Sequence, residues 1–167
     1  NGTTRLAYGG QFGDTPNDGN FVADGLIHAD MTPHPVMREL AWVHRPISVE
    51  LKSKNKDPHL VVRNRQWFSD LSAYKATWEL LVDGVVTKSG KLTVPKIAPD
   101  SSEKVDIPVI IPHEANEVFF SVTWTLARDT PWAAKGHVVS WDQVTLRKSA
   151  PVEATVPQTS ILPIDIS

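Results

Sequence analysis

Apolar residues recur at every second position over much of the chain from Pro46 to Leu146. Ile47, Val49 and Leu51 alternate with Ser48, Glu50 and Lys52, and after the turn Lys54-Asn55-Lys56-Asp57-Pro58 the run Leu60-Val61-Val62-Arg63-Asn64-Arg65 resumes the extended pattern. A polar corner, Ser69-Asp70-Leu71-Ser72, precedes a strand predicted over Tyr74–Val82, where Tyr74, Ala76, Trp78 and Leu80 form an aromatic-rich inward row. Asp83-Gly84 predicts a type I′ hairpin, because both central positions need positive φ, and Val85-Val86-Thr87-Lys88 is its return strand. Leu92-Thr93-Val94-Pro95 and Ile97-Ala98-Pro99 read as edge segments, since proline cannot donate to an interior ladder. Lys104–Ile107, Glu117–Leu126 and Val138–Leu146 complete the set. Trp78, Trp124 and Trp141 all fall on the alternation and are expected in the core.

Upstream the pattern changes. Residues 1–32 are a succession of turn signals, from Tyr8-Gly9-Gly10 through Thr15-Pro16-Asn17-Asp18-Gly19 to Asp24-Gly25, with too little apolar material between them to build a core. Val36–Trp42 then follows Pro33-His34-Pro35 with good helix formers and Val36, Leu40 and Met37 toward one face, so a short helix is expected, ending before Arg45-Pro46. After Leu146, Pro151, Pro157 and Pro163 punctuate a Ser/Thr/Val-rich stretch without periodicity, which reads as a linker. The expected class is therefore all-β: an immunoglobulin/fibronectin III-like β-sandwich preceded by a turn-rich segment and one short helix.

Composition narrows the function. A formal charge of −2 over 167 residues, without clustered Lys and Arg, argues against nucleic acid or an anionic membrane as partner. No apolar run approaches the ~20 residues that span a bilayer. Without cysteine there are no disulfides or thiolate metal sites; this fits the cytoplasm and does not exclude secretion. The abrupt start at Asn1-Gly2-Thr3-Thr4 reads as excision from something longer.

Candidate chemistry is sparse. Asp14, Asp18, Asp24 and Asp30 supply oxygen ligands for a hard cation, but not at calcium-loop spacing, and turn formation is the simpler role. The six histidines form no i, i+4 zinc pair; His34 and His137 are expected to cap or fill. A glycosidase needs two facing carboxyls, and Glu79, Glu103, Glu114 and Glu117 read instead as solvated charges on strands and turns. There is no Gly-x-Ser-x-Gly nucleophile turn. Trp67, Phe68 and Trp132 lie near corners, where exposed rings suit a sugar-stacking platform, as in a carbohydrate-binding module, or a scaffold for protein contacts.

The string Tyr8-Gly9-Gly10-Gln11-Phe12-Gly13-Asp14-Thr15-Pro16-Asn17-Asp18, followed by Phe21, Asp24-Gly25-Leu26, Ala29-Asp30 and Thr32-Pro33-His34-Pro35, resembles the end of the catalytic barrel in large multidomain β-galactosidases of glycoside hydrolase family two. Asn64-Arg65-Gln66-Trp67-Phe68, Asp70-Leu71, Trp78-Glu79-Leu80, Asp83-Gly84, Ser89-Gly90, Ala98-Pro99, Gly136-His137 and Trp141 with Gln143 are similar to that family's domain four. The resemblance implies three parts: residues 1–42 as the incomplete C-terminal end of the barrel, residues 46–147 as the sandwich, and residues 148–167 as a linker or tail.

It also implies roles within the parent enzyme. Asn17 matches an asparagine that helps hold a loop-bound magnesium. Phe21 matches a phenylalanine whose carbonyl binds an active-site sodium and whose ring moves with substrate. Asp24 stands where the family usually has an asparagine that binds sodium and the galactose 6-hydroxyl, and Gly19 where the best-known members carry a loop-steadying arginine. The family's catalytic glutamates lie upstream. Retaining hydrolysis of terminal β-D-galactosides is thus expected of the parent, with the barrel and a C-terminal β domain as partners. The chain alone is expected to be inactive and to bind neither magnesium nor sodium.

Overall fold

In a computed structural model, which describes residues 2, 7–21, 24–54, 57–112 and 114–148, two antiparallel sheets pack face to face behind one short helix. The expected tail beyond residue 148 and most of the Asn1–Thr4 turn lie outside the described residues. The elements are α1 (Val36–Val43), β1 (Ile47–Lys54), β2 (Asp57–Asn64), β3 (Tyr74–Val82), β4 (Val85–Leu92), β5 (Ser102–Val105), β6 (Val118–Leu126) and β7 (Val138–Arg147). One sheet runs β1-β2-β5 and the other β4-β3-β6-β7. This is the expected all-β sandwich. Its fourth strand pairs with the third, where a constant-type immunoglobulin domain would pair it with the fifth.

The core follows from the alternation. Along β6 every second residue is buried, and Val118, Phe120, Val122 and Trp124 meet Ile47, Leu60, Val62 and Leu80 from the other strands. Trp78 stacks on Phe120 with ring centroids 5.3 Å apart. Opposite Trp78, β4 carries Gly90, where a Cβ would stand 3.1 Å from the indole, and the strand continues past Lys88 to Leu92 through this gap. Segment 93–101 forms no strand. It is not an edge, because Ile97 is wholly buried and the carbonyls of Ile97 and Ala98 accept from the Asn64 side chain at 3.3 and 3.1 Å. The prolines at 95 and 99 remove ladder donors, so side-chain bonds hold this crossover instead.

The expectation for Trp141 is corrected. On β7 the inward row is Ser140, Asp142 and Val144, and Trp141 is half-buried on the outer face beneath α1. The cause lies on β1, the neighbouring edge of the other sheet. Its amides at Ile47 and Val49 need acceptors, supplied by Ser140 Oγ at 3.3 Å and Asp142 Oδ2 at 2.9 Å.

Antiparallel pairing sorts the connections between two ends. Ile47 opposite Asn64, Tyr74 opposite Leu126 and Trp124 opposite Ser140 place segments 43–46, 65–73 and 127–137 at one end, here called proximal. Val82 opposite Val85 and Val118, and Val118 opposite Arg147, define the distal end. The chain enters the sandwich proximally and β7 finishes distally, its ten residues spanning about 30 Å at about 3.3 Å each. No helix among the described residues is long and apolar enough to cross a membrane.

Candidate functional site

Residues 8–21 and 24–34 fold as local turns. The Gly10 amide donates to both Asp14 carboxylate oxygens, at 3.1 and 3.2 Å, and the Asn17 side-chain amide donates to the Asp14 carbonyl at 2.8 Å. Asn17 Oδ1 accepts from the Gly19 amide at 3.0 Å. Gly10 sits at φ 83° with the Asn17 amide 3.0 Å from where a Cβ would be, so glycine is required there on both counts. Farther on, Asp30 accepts from the Thr32 amide at 3.0 Å and the Thr32 hydroxyl at 2.6 Å, and these bonds, the hydroxyl foremost, hold its carboxyl below the ordinary value. A bridge between Ile27 and Pro33 closes this second turn, and the rings of His28 and His34 approach to 3.7 Å.

The candidate ligands are only partly gathered. All three are exposed: Asn17 is bonded to Asp14 and lies against Gly10, Phe21 donates from its amide to the Asp18 carbonyl at 3.2 Å, and among the described residues no hydrogen bond joins Asn17, Phe21 and Asp24. Asp14 and Asp30 act as acceptors within turns, as the turn-forming reading expects. Among the described residues no three or more His, Asp or Glu side chains converge where a metal ion could be held. Their oxygen chemistry suits magnesium or sodium, but the described residues alone do not complete a site for either. Tyr8, Phe12, Phe21 and Met31 present exposed apolar surface. Glu79 lies on β3, Glu103 on β5, and Glu114 and Glu117 on the segment that precedes β6.

Sequence reasoning missed the joint between α1 and the sandwich. Trp42 Nε1 donates to the Trp141 carbonyl at 3.1 Å, and Arg38 lies 5.5 Å over the Trp141 ring. Arg45 holds Asp142 with two bonds, at 2.8 and 3.2 Å, while its guanidinium lies 3.9 Å over Trp42 and donates to that residue's carbonyl at 2.7 Å. Burial pushes the Asp142 carboxyl above the ordinary range, and bonds from Arg45 and the Val49 amide oppose the shift. The available signal was an arginine beside a proline at the sandwich's first strand; Asp142 gave none, because the alternation placed it on the outward row. Between α1 and the outer face of β6 and β7 lies an open groove of about 960 Å³, lined by His34, Met37, Arg38, Trp141 and Gln143 among others.

The rings singled out at the corners are all exposed: Trp67 at 72%, Phe68 at 97% and Trp132 at 64%. Trp132 meets His137 edge-on at 5.5 Å, and among the described residues no ring contact joins Trp67, Phe68 and Trp132.

Residues 60–147 match the family model for β-galactosidase domain 4, and residues 1–49 match that for the TIM barrel domain of family 2 glycosyl hydrolases. The chain is 37% identical over 158 residues to a β-galactosidase of Photobacterium profundum, covering 93% of this chain and 15% of the relative. It is 34% identical over 160 residues to a β-galactosidase of Priestia megaterium, with the same coverages. A β-galactosidase of Clostridium acetobutylicum is 30% identical over 145 residues, covering 87% of this chain and 16% of the relative. The chain thus spans about 15% of the length of these curated relatives. The chain belongs to the β-galactosidase domain 4 family.

Proposed function

We propose that the chain is the part of a β-galactosidase in which the last turns of the catalytic barrel pass into a sandwich that spaces the barrel from a following β domain. The observation that carries the spacer reading is the opposed placement of the sandwich's two ends: β1 begins proximally, beside α1, and β7 finishes distally. The Arg45–Asp142 and Trp42–Trp141 contacts at the proximal end stiffen the joint, as a spacer requires. In this reading residues 1–42 complete the barrel, residues 46–147 are the spacer and residues 148–167 lead onward. Hydrolysis of terminal β-galactosides belongs to glutamates elsewhere in the parent. Asn17 contributes an oxygen to magnesium, and the Phe21 carbonyl and Asp24 contribute oxygens to sodium, with ligands from the rest of the barrel completing both sites.

The test compares the full-length parent with this chain on an aryl β-galactoside. The parent turns the substrate over and the chain does not; turnover by the chain would refute the reading. In the parent, Asp24→Ala raises the sodium concentration for half-maximal activity by about tenfold, the equivalent of ~1.4 kcal/mol. Replacing residues 46–147 by a flexible linker of matching span lowers the parent's thermal stability and activity; no change in either would remove the spacer role.

A second reading, a carbohydrate-binding module, is supported by the exposure of Trp67, Phe68 and Trp132. Millimolar or tighter galactoside or polysaccharide binding by this chain alone would favour it.

A further inference from the structure

The proximal end carries exposed aromatic rings on loops pinned by hydrogen bonds. Trp67 and Phe68 follow Gln66, whose amide donates to Asn64 Oδ1 at 3.0 Å and whose carbonyl accepts from the Asp100 amide at 2.9 Å. They precede Ser69, whose carbonyl accepts from Asn64 Nδ2 at 2.8 Å. The loop bearing Trp132 is closed by the Thr130 hydroxyl on the Ala133 carbonyl at 2.9 Å and the Lys135 amide on Asp129 at 2.7 Å. Both loops lie at the end where β1 begins. Arg65 ties the first directly to the incoming chain, donating from its guanidinium to the Val43 carbonyl at 3.0 Å and from its amide to the Pro46 carbonyl at 2.9 Å.

Large rings left in water on well-bonded loops lose little conformational freedom on association, which is what concentrates binding energy in the buried aromatic anchors of an interface. The distal exposed apolar residues, Val85, Val86 and Ile110, are aliphatic. We infer that Trp67, Phe68 and Trp132 are the anchors by which the sandwich docks on the body of the catalytic barrel that precedes it in the parent. This inference rests on the proposed spacer reading and names its proximal partner surface. The partner is chosen by continuity: the stretch matching the barrel family, residues 1–49, contains α1 and runs into the start of β1, α1 is seated on the sandwich through Trp42 with Arg45 just beyond it, and Arg65 links that joint to the Trp67 loop.

Hydroxyl-radical footprinting of the full-length parent against this chain tests the inference. Oxidation of Trp67, Phe68 and Trp132 falls by about tenfold in the parent, as for rings that pass into a desolvated interface centre. Protection of Phe12 and Phe21 without protection of these three overturns the docking face and leaves the spacer reading standing. If none of the five rings is protected, both readings fail. Protection in this chain alone that grows with its concentration assigns the face to a second copy, and protection produced by added galactan assigns it to sugar; either overturns the inference. As a second readout, Trp67→Ala with Phe68→Ala lowers the parent's melting temperature and leaves that of this chain unchanged, because both rings are exposed here. An equal drop in both proteins would mean a structural role within the sandwich and would also overturn it.

Discussion

Arg45 and Asp142, 97 positions apart, meet through two charge-assisted hydrogen bonds, and the same carboxylate accepts the Val49 amide. The side chains are only 11% and 6% exposed, so removing one partner strands a buried charge. Asp142→Ala is expected to cost about 3–5 kcal/mol, as single truncations of buried pairs do. Arg45→Met combined with Asp142→Leu recovers part of that loss. Urea unfolding of the three variants checks this, and a loss below about 1 kcal/mol, the value of an exposed pair, would show that the contact is not desolvated.

Asn64 is the corresponding hub for the loops. Wholly buried, it donates to the carbonyls of Ser69, Ile97 and Ala98 and accepts from the Gln66 amide. Asn64→Ala leaves these groups unpaired next to the core, and about 3 kcal/mol of destabilisation is expected. Amide exchange at Gln66 and through segment 95–101 should accelerate well before global unfolding. Uniform acceleration across all strands would contradict a local role.

What the amino-acid sequence disclosed, and what it concealed, divides by the range of the determining contact. The bounds of β3 and the direction of its Trp78 were legible because alternation is a property of neighbouring residues, as were the short α1 and the Asp83-Gly84 hairpin. The direction of Trp141 was not legible, because the inward row of β7 is set by β1 amides more than ninety positions away. Ile97 looked like an edge residue because its prolines are visible locally, while the Asn64 bonds that bury its segment are not. In the candidate site the string Tyr8–Pro35 pointed to the family, and the barrel-domain and domain 4 matches bear that out. The turn joining Gly10, Asp14 and Asn17 is local, and the turn-forming role of Asp14 was legible for that reason, whereas its specific partners, the Gly10 amide and the Asn17 side chain, were not.

Gly90 faces the flank of Trp78, and a Cβ there would meet the Cε2, Cζ2 and Nε1 atoms at 3.1 Å. The indole cannot retreat easily: Nε1 donates to the Lys91 carbonyl at 3.2 Å and the ring stacks on Phe120. Overpacking therefore outweighs the entropic advantage of alanine, and Gly90→Ala should destabilise by about 1–3 kcal/mol. A shift in the urea midpoint with an altered tryptophan emission maximum is the expected signature. A stabilised variant would show that β4 can move outward at no cost.

Asp70 caps the short turn Leu71–Ala73, and hydrogen bonds from Ser72, together with Lys96 at 3.2 Å, lower its pKa from 3.8 to about 2. The unfolded chain, with the ordinary value, takes up the proton first as pH falls. The stability due to the ionised form is therefore complete above about pH 4 and lost progressively down to about pH 2. Asp70→Asn should flatten this part of the stability profile, leaving the other carboxylates to shape what remains. A carboxyl NMR titration of the folded chain locates the midpoint directly. A midpoint near the ordinary 3.8 would mean that the Ser72 and Lys96 contacts do not persist in solution.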